Sequence, residues 1–124
     1  MIQRTFYVLA VPSLEISATF YRDVLSFTIE DMGDPGWRMY MRDNCHIMAG
    51  ECPDATPAQD LGDHSYFAYF AYFVVDDVNG EYQRVLTHNV DIIKPLHDEP
   101  WGMREFGLRT IDGHRIMIGQ DLAE

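Results

Sequence analysis

Histidine, glutamate, methionine and aromatic residues are the side chains of this sequence that could do chemistry, but their spacing matches no common catalytic motif. The chain has no GxSxG nucleophile turn, no glycine-rich phosphate loop and no dinucleotide-binding fingerprint. Cys45 and Cys52 lack the spacing of a zinc motif, and we expect reduced, partly buried thiols. Four histidines fall in predicted loops or at element ends and suggest no site: His64, His88, His97 and His114.

Charge and composition narrow the classes of partner. The 124 residues include 9 basic and 20 acidic side chains, for a net charge of -11. This balance argues against nucleic acid and against anionic membranes, since both need a basic surface. It suits a cationic ligand, which a negative surface attracts, and equally suits a role in solubility alone. No apolar run is long enough to span a bilayer and the first residues do not resemble a signal peptide, so we expect a cytoplasmic protein.

The elements that must position these side chains follow one pattern twice. In the first half, four segments have the aromatic and β-branched content or the alternation of strands: 4–11, 27–32, 37–42 and 45–50. A helix is predicted between the first two, with Ser13 as its N-cap, Glu15 in its first turn and its end near Leu25. In the second half the predicted strands are 66–75, 91–96, 103–109 and 115–119. Asp76 and Asp77 open the second helix, His88 and Asn89 mark its end, and Asp112-Gly113 indicates a hairpin.

The resulting order is βαβββ, a linker, and βαβββ again. We therefore predict an α+β fold in which two modules form a curved mixed β-sheet cleft. The whole chain, 1–124, is expected to be one domain, with module 1 at about 1–50, the linker at 51–65 and module 2 at about 66–124. One four-stranded sheet with one helix buries only one face, so we expect a partner half to cover the other face and the two sheets to curve around a cleft.

Two stretches carry a resemblance to a known family. Residues 20–27 (FYRDVLSF) resemble the FYRDVLGF helix-end signature of the vicinal oxygen chelate superfamily, which includes glyoxalase I, the extradiol dioxygenases and the bleomycin resistance proteins. Residues 100–109 (PWGMREFGLR), followed by Asp112-Gly113, resemble the bleomycin resistance branch in particular. Ser26 replaces the usual glycine, and Thr110-Ile111 replaces the usual Asp-Pro. The resemblance extends over the whole chain through the order of its elements.

The resemblance also implies where a metal would bind. Enzymes of the superfamily hold a divalent metal on four inward-facing side chains, usually His and Glu, two from each half. Counted from the matching motifs, these positions fall on Phe6, His46, Phe70 and Met117. Phenylalanine cannot ligate a metal, and a thioether is a poor ligand for hard or borderline ions. We therefore predict no catalytic metal at this place and no cofactor.

An aromatic and methionine-rich surface would replace the metal cage. By the two-residue period of strands, further residues should share the face with the four ligand positions: Val8, Met48, Ala68, Tyr72, Met103 and Glu105. Trp37 and Trp101 lie near predicted strand ends and could close the rim of a pocket. Aromatic faces stack on planar ligands and attract cations. Glu105 could pair with a cationic ligand group, or form a structural ion pair with Arg104 or Arg109.

Three functions remain open on the sequence. The first is a bleomycin-resistance-type protein that sequesters a planar or cationic aromatic molecule, such as a glycopeptide antibiotic, without chemistry. The resemblance implies that such a protein is a homodimer. The second is a lyase, isomerase or dioxygenase-type enzyme of the glyoxalase kind, and the third is a non-catalytic interaction module. The first predicts ligand-binding residues: Phe6, Trp37, His46, Met48, Phe70, Tyr72, Trp101, Met103, Glu105 and Met117.

Overall fold

The computed structural model describes residues 1–57 and 68–123. The chain divides into two compact units, Met1–Pro57 and Ala58–Glu124. The boundary falls within the predicted linker, of which residues 58–65 lie outside the described part, as do the first two residues of the predicted fifth strand. No helix within the described ranges is long and apolar enough to cross a membrane.

The first unit contains one helix and one four-stranded mixed sheet. Its elements are β1 (Tyr7–Val11), α1 (Leu14–Asp23), β2 (Thr28–Asp31), β3 (Trp37–Arg42) and β4 (Cys45–Glu51). The strand order is β1-β4-β3-β2, with β1 parallel to β4 and the other pairs antiparallel. The predicted order is confirmed, and the predicted bounds differ mainly at the first strand, which begins at Tyr7 rather than Arg4.

The second unit repeats this arrangement. Its elements are β5 (Tyr69–Val74), α2 (Val78–Thr87), β6 (Asp91–Asp98), β7 (Met103–Arg109) and β8 (Arg115–Asp121), in the strand order β5-β8-β7-β6. Strand β5 is parallel to β8, and the other pairs are antiparallel. The α+β class and its two βαβββ modules are therefore confirmed. That the two modules form a cleft, and that the chain is one domain, stay predictions.

In each unit the helix covers one face of its sheet. Tyr21 of α1 and Tyr40 of β3 are fully buried, with ring centroids 4.6 Å apart, and the Tyr40 hydroxyl donates to Ser17 Oγ at 2.7 Å. In the second unit, Tyr82 of α2 packs against the buried Phe106 of β7, with centroids 4.9 Å apart. Because side chains alternate along a strand, the residues beside Tyr40 and Phe106 point to the face that carries no helix.

Both helices begin at side-chain caps. Ser13 Oγ accepts a hydrogen bond from the Ile16 amide, as predicted, and Asp77 accepts one from the Gly80 amide. A second acceptor for each helix start comes from the last strand of the same unit. Glu51 of β4 accepts from the Leu14 amide at 2.9 Å, and Gln120 of β8 accepts from the Val78 amide at 3.0 Å. These contacts satisfy amides that a helix leaves unpaired at its start.

Candidate functional site

The helix-free face of the first sheet carries four of the predicted ligand-binding residues. Tyr40 and Ile47 are fully buried on the helix side, so their neighbours in β3 and β4 point to the other face. His46 and Met48 of β4 therefore lie on the helix-free face. Phe6, just before β1, contacts the His46 ring edge-on, with centroids 5.8 Å apart.

Trp37 lies against the sheet at one end of this face. It pairs with Gly50 across β3 and β4, and a Cβ built on Gly50 would lie only 2.8 Å from the Trp37 ring. The ring thus occupies the space that any side chain at position 50 would need. Trp37 is 36% exposed, so part of its indole remains open on the surface.

Glu105 is the centre of a hydrogen-bonded cluster on the second sheet. Its side chain is 3% exposed, and it lies on β7 next to Phe106, hence on the helix-free face. One carboxylate oxygen accepts from the Tyr72 hydroxyl at 2.8 Å and from Trp101 Nε1 at 3.1 Å. The other accepts from Lys94 Nζ at 2.5 Å. Three donors from β5, β6 and the turn before β7 therefore converge on one buried carboxylate.

The ion partner of Glu105 differs from both predicted candidates. Arg104 pairs with Asp98 at 2.6 Å, and Arg109 lies 3.6 Å from Asp91. Side chains alternate along β7, so Arg104 points away from the face that holds Glu105. Lys94, which sequence reasoning missed, neutralises Glu105 instead. Its one visible signal was that it is the only lysine of the sequence and stands between the apolar residues Ile93 and Pro95.

Hydrogen bonds and ion pairs keep Glu105 and Lys94 charged, while Tyr72 stays neutral. Burial by itself raises the pKa of a carboxyl group, but hydrogen bonds from Lys94, Tyr72 and Trp101 outweigh burial and lower the pKa of Glu105 below its ordinary 4.5. Burial lowers the pKa of Lys94, yet its bonds to Glu105 and Glu99 win and raise that pKa above 10.5. Burial and the Glu105 hydrogen bond raise the pKa of Tyr72, so its hydroxyl remains a neutral donor. None of these groups is poised to exchange a proton near neutral pH.

The rings of this cluster remain accessible although their polar atoms are fixed. Trp101 is 64% exposed and Tyr72 is 40% exposed. Lys94 Nζ lies 5.6 Å from the centroid of the Trp101 ring, within the range of a cation–π contact. Lys94 also pairs with Glu99 at 3.0 Å, and Glu99 contacts His97 Nδ1 at 3.1 Å.

Two tyrosines of β5 lie over two glycines of the neighbouring strands. A Cβ built on Gly119 would lie 2.2 Å from the Tyr72 hydroxyl oxygen, and one built on Gly107 would lie 2.4 Å from that of Tyr69. Each tyrosine therefore occupies space that only glycine leaves free. Tyr69 was not among the predicted site residues.

A β-bulge explains why Tyr69 and Tyr72 share this face. The pairing of β5 with β8 shifts between Tyr69 and Ala71, which inserts one residue into β5. Tyr69 and Tyr72, three apart, then point to the same face. Phe70 lies at the shift and contacts the ring of His114 edge-on, with centroids 5.8 Å apart. Phe70 was placed by counting from the matching motifs, and such a count does not reveal a bulge.

The two remaining predicted residues lie on β7 and β8. Met117 is buried and stands between Tyr72 of β5 and Gly107 of β7 in the register of the sheet. Met103 begins β7 opposite Asp121 and is half-buried. The second sheet thus brings Tyr72, Glu105 and Met117 to one face.

The four positions where the resemblance places metal ligands do not fit a divalent cage. Phe6 and Phe70 offer no donor atom, and Met117 offers a thioether. His46 alone provides an imidazole. Within residues 1–57 and 68–123, no group of three or more His, Cys, Asp and Glu side chains is placed to hold a metal ion.

The repeated module and its sequence motifs define a class of protein. A family model described as the glyoxalase/bleomycin resistance protein/dioxygenase superfamily matches residues 4–118, and the chain belongs to this superfamily. No curated protein sequence matches the chain.

Solved structures share this fold along nearly their whole length. A putative glyoxalase family protein from Bacillus anthracis is 20% identical, with a TM-score of 0.76, over 98% of this chain and 97% of that one. TioX from Micromonospora sp. ML1 is 18% identical, with a TM-score of 0.73, over 95% and 99%. A protein of unknown function from Agrobacterium tumefaciens is 29% identical, with a TM-score of 0.69, over 98% and 96%. These likenesses support the fold and not a ligand.

Proposed function

We propose that this protein binds a planar or cationic aromatic small molecule and sequesters it without metal and without chemistry, as the bleomycin resistance branch does. One observation carries the proposal. The rings of Tyr72 and Trp101 are exposed, while their hydroxyl and indole N–H are fixed on the buried carboxylate of Glu105.

Fixed and exposed rings favour binding for a thermodynamic reason. Ordering a side chain on association costs about 0.5–1.5 kcal/mol, and rings that are already held avoid much of that cost. Stacking between aromatic rings adds about 0.5–1.5 kcal/mol beyond the burial of apolar area. Because the donors of Tyr72 and Trp101 are already used within the protein, their ring faces are what they offer to a ligand.

Glu105 does not supply the attraction for a cationic ligand. Lys94 neutralises that carboxylate, and the side chain of Glu105 is 3% exposed, so a ligand cation has no free partner there. The net charge of -11 still supports a cationic ligand, since it raises the local concentration of cations near the surface. We therefore propose that the aromatic part of the ligand stacks on the rings of Tyr72 and Trp101. The negative net charge of the protein attracts the positive charge of the ligand at long range.

Thermal unfolding in the presence of candidate ligands tests the proposal. The panel contains metal-free bleomycin, flat aromatic cations and flat neutral dyes. A ligand that binds only the folded chain stabilises it by about 2.7 kcal/mol at a hundred times its dissociation constant. We expect at least one compound to raise the Tm, Trp101→Ala to abolish the shift, and Tyr72→Phe to weaken it. Leu86→Ala, an exposed aliphatic change on α2, is the control. If no compound shifts the wild-type Tm, an interaction module is the better reading.

Metal analysis separates this proposal from a glyoxalase-like enzyme. Protein incubated with nickel, zinc or manganese and then dialysed should retain no stoichiometric ion, because Phe6 and Phe70 occupy two of the four ligand positions. One tightly held ion of this kind per chain would favour the enzyme.

We also propose that the protein acts as a homodimer in the cytoplasm. The resemblance to the bleomycin resistance branch supports this proposal. Sedimentation equilibrium on the full chain should give twice the monomer mass at micromolar concentration. A monomer at all concentrations would remove the dimer from the proposal without affecting the ligand test.

A further inference from the structure

Four side chains with nitrogen or sulfur donors form a rectangle on the helix-free face of the first sheet. In the antiparallel pairing of β3 with β4, Met39 stands opposite Met48 and Met41 stands opposite His46. The intervening Tyr40 and Ile47 are fully buried on the helix side. All four members of the rectangle are half-buried, so each reaches the surface of the same face.

The spacing allows the four donors to converge. Directly opposed residues of an antiparallel pair have Cβ atoms about 5 Å apart, and residues two apart along a strand are separated by about 7 Å. The centre of the rectangle therefore lies about 4 Å from each Cβ, within reach of a methionine sulfur or an imidazole nitrogen. Methionine has three rotatable side-chain bonds, which lets its sulfur adjust to a central atom.

The donor set selects a soft ion. Thioethers bind Cu(I) well and hard ions poorly, and imidazole also suits copper. Within the described ranges, the nitrogens of the His46 ring make no hydrogen bond, and its ring contact is with Phe6. Cys45 shares the helix side with Ile47, and burial raises the pKa of its thiol to about 11, so it does not supply a thiolate to this face.

The surroundings suit a monovalent cation. Phe6 lies beside His46 at one end, and Trp37 lies over Gly50, next to the Met39–Met48 pair, at the other. Glu30 stands opposite Met39 on β2 and is exposed, so it adds a negative charge beside the rectangle without entering it.

We propose that Met39, Met41, His46 and Met48 form a binding site for a soft monovalent cation of the Cu(I) class. This proposal and the proposed function rest on different observations, since aromatic binding is argued from Tyr72 and Trp101 of the second sheet, although His46 and Met48 are also among the predicted ligand-binding residues. It is also distinct from the divalent cage that the resemblance implies, with which it shares His46 alone.

Methionine methyl NMR tests the site directly. Ag(I) serves as a probe for Cu(I) because it has the same charge and ligand preference and is not oxidised in air. The protein carries Cys45→Ser and Cys52→Ser, since free thiols bind the same ions. The chain has seven methionines, and labelled methyl groups give one signal for each. We expect three signals, those of Met39, Met41 and Met48, to shift and to saturate at one equivalent of Ag(I).

Substitution of single ligands supplies the matched comparison. Methionine-to-leucine changes conserve volume and polarity and are well tolerated in proteins. Met39→Leu, Met41→Leu and Met48→Leu should each weaken Ag(I) binding at least tenfold in competition with a chelator, and His46→Phe should do the same. Met32→Leu, an exposed methionine beyond β2, should leave binding unchanged. Far-UV circular dichroism confirms that each variant is folded.

Three outcomes would overturn the proposal: no methyl shift, equal shifts at all seven methionines, or binding that survives all four ligand substitutions. Zinc or magnesium producing the same three shifts as Ag(I) would also contradict the selectivity argued from thioether donors. Aromatic binding is measured separately, on the Cys45→Ser, Cys52→Ser protein without Ag(I) and on its Met32→Leu variant. A thermal shift there with no Ag(I) binding would refute the cation site alone, and Ag(I) binding with no thermal shift would refute the proposed function alone.

Discussion

Ser26 follows the first helix in a left-handed backbone conformation, with φ of 63°. The related signature has glycine at this place, and the structure gives the reason. A residue with a Cβ loses roughly 1–2 kcal/mol in this conformation, whereas glycine does not. The sequence comparison could locate the departure from the signature, but the sign of φ came only with the structure.

Ser26→Gly should therefore stabilise the protein. The relief of backbone strain is partly offset by the greater freedom of glycine in the unfolded chain, about 0.5–1 kcal/mol. We expect a net gain of about 0.5–1 kcal/mol in the free energy of unfolding, measured by urea denaturation. Ser26→Ala keeps the Cβ and should give no gain. A loss of stability in Ser26→Gly would show that the serine side chain has a role of its own.

Glu105 illustrates the limits of sequence reasoning at a single site. Its place on the same face as Tyr72 followed from the strand period and is confirmed by their hydrogen bond. Its partner Lys94 could not be found this way, because the pairing of β6 with β7 shifts register twice and the period does not carry across such shifts.

Glu105→Gln should cost about 3 kcal/mol of stability at pH 7, because it leaves the buried ammonium of Lys94 without its main partner. The pKa of Glu105 is lowered in the folded state, so its charge stabilises the protein above pH 4.5 and this contribution is lost as the pH falls below that value. The difference between wild type and variant should therefore shrink in acid. Urea unfolding of wild type and variant at pH 7 and pH 4 measures this difference in the free energy of unfolding. Asp98→Asn, which breaks the exposed pair with Arg104, should cost less than about 1 kcal/mol.

Strand β5 shows how one element positions the site. The order of strands and helices was predictable from alternation, turn residues and caps, because those signals are local. The bulge between Tyr69 and Ala71 was not predictable, since it depends on how β5 pairs with β8, and it places Tyr69 on the same face as Tyr72.

Gly119→Ala tests the contact between β5 and β8. The added Cβ would meet the Tyr72 hydroxyl, so the ring must move away from Glu105. We expect a loss of about 1–3 kcal/mol in stability and a weaker thermal shift with any aromatic ligand found. In a Tyr72→Ala background the same substitution should cost less, which a double-mutant cycle measures. Equal costs in both backgrounds would contradict the contact.

The strand-to-helix caps give a second prediction for the elements. Glu51→Ala and Gln120→Ala each remove an acceptor from the first turn of a helix, and each should cost about 1 kcal/mol. Glu51→Gln retains an acceptor oxygen and should cost less. Equilibrium unfolding of the three variants checks this, and no difference between Glu51→Ala and Glu51→Gln would contradict it.

At the scale of the whole molecule, the net charge of -11 dominates. Like charges on a compact chain repel one another, and salt screens the repulsion over a distance of about 10 Å at 0.1 M. Raising sodium chloride from about 20 mM to about 300 mM should therefore raise the Tm by several degrees. A fall in Tm would mean that exposed ion pairs such as Asp98–Arg104 outweigh the repulsion.

The caps also have a consequence for each unit taken by itself. In each unit the first and last strands are neighbours in the sheet, and the last strand reaches back to the start of the only helix between them. The starts of α1 and α2 are thus each completed by residues of their own unit. A chain that carried either unit alone would therefore retain both acceptors at the start of its helix.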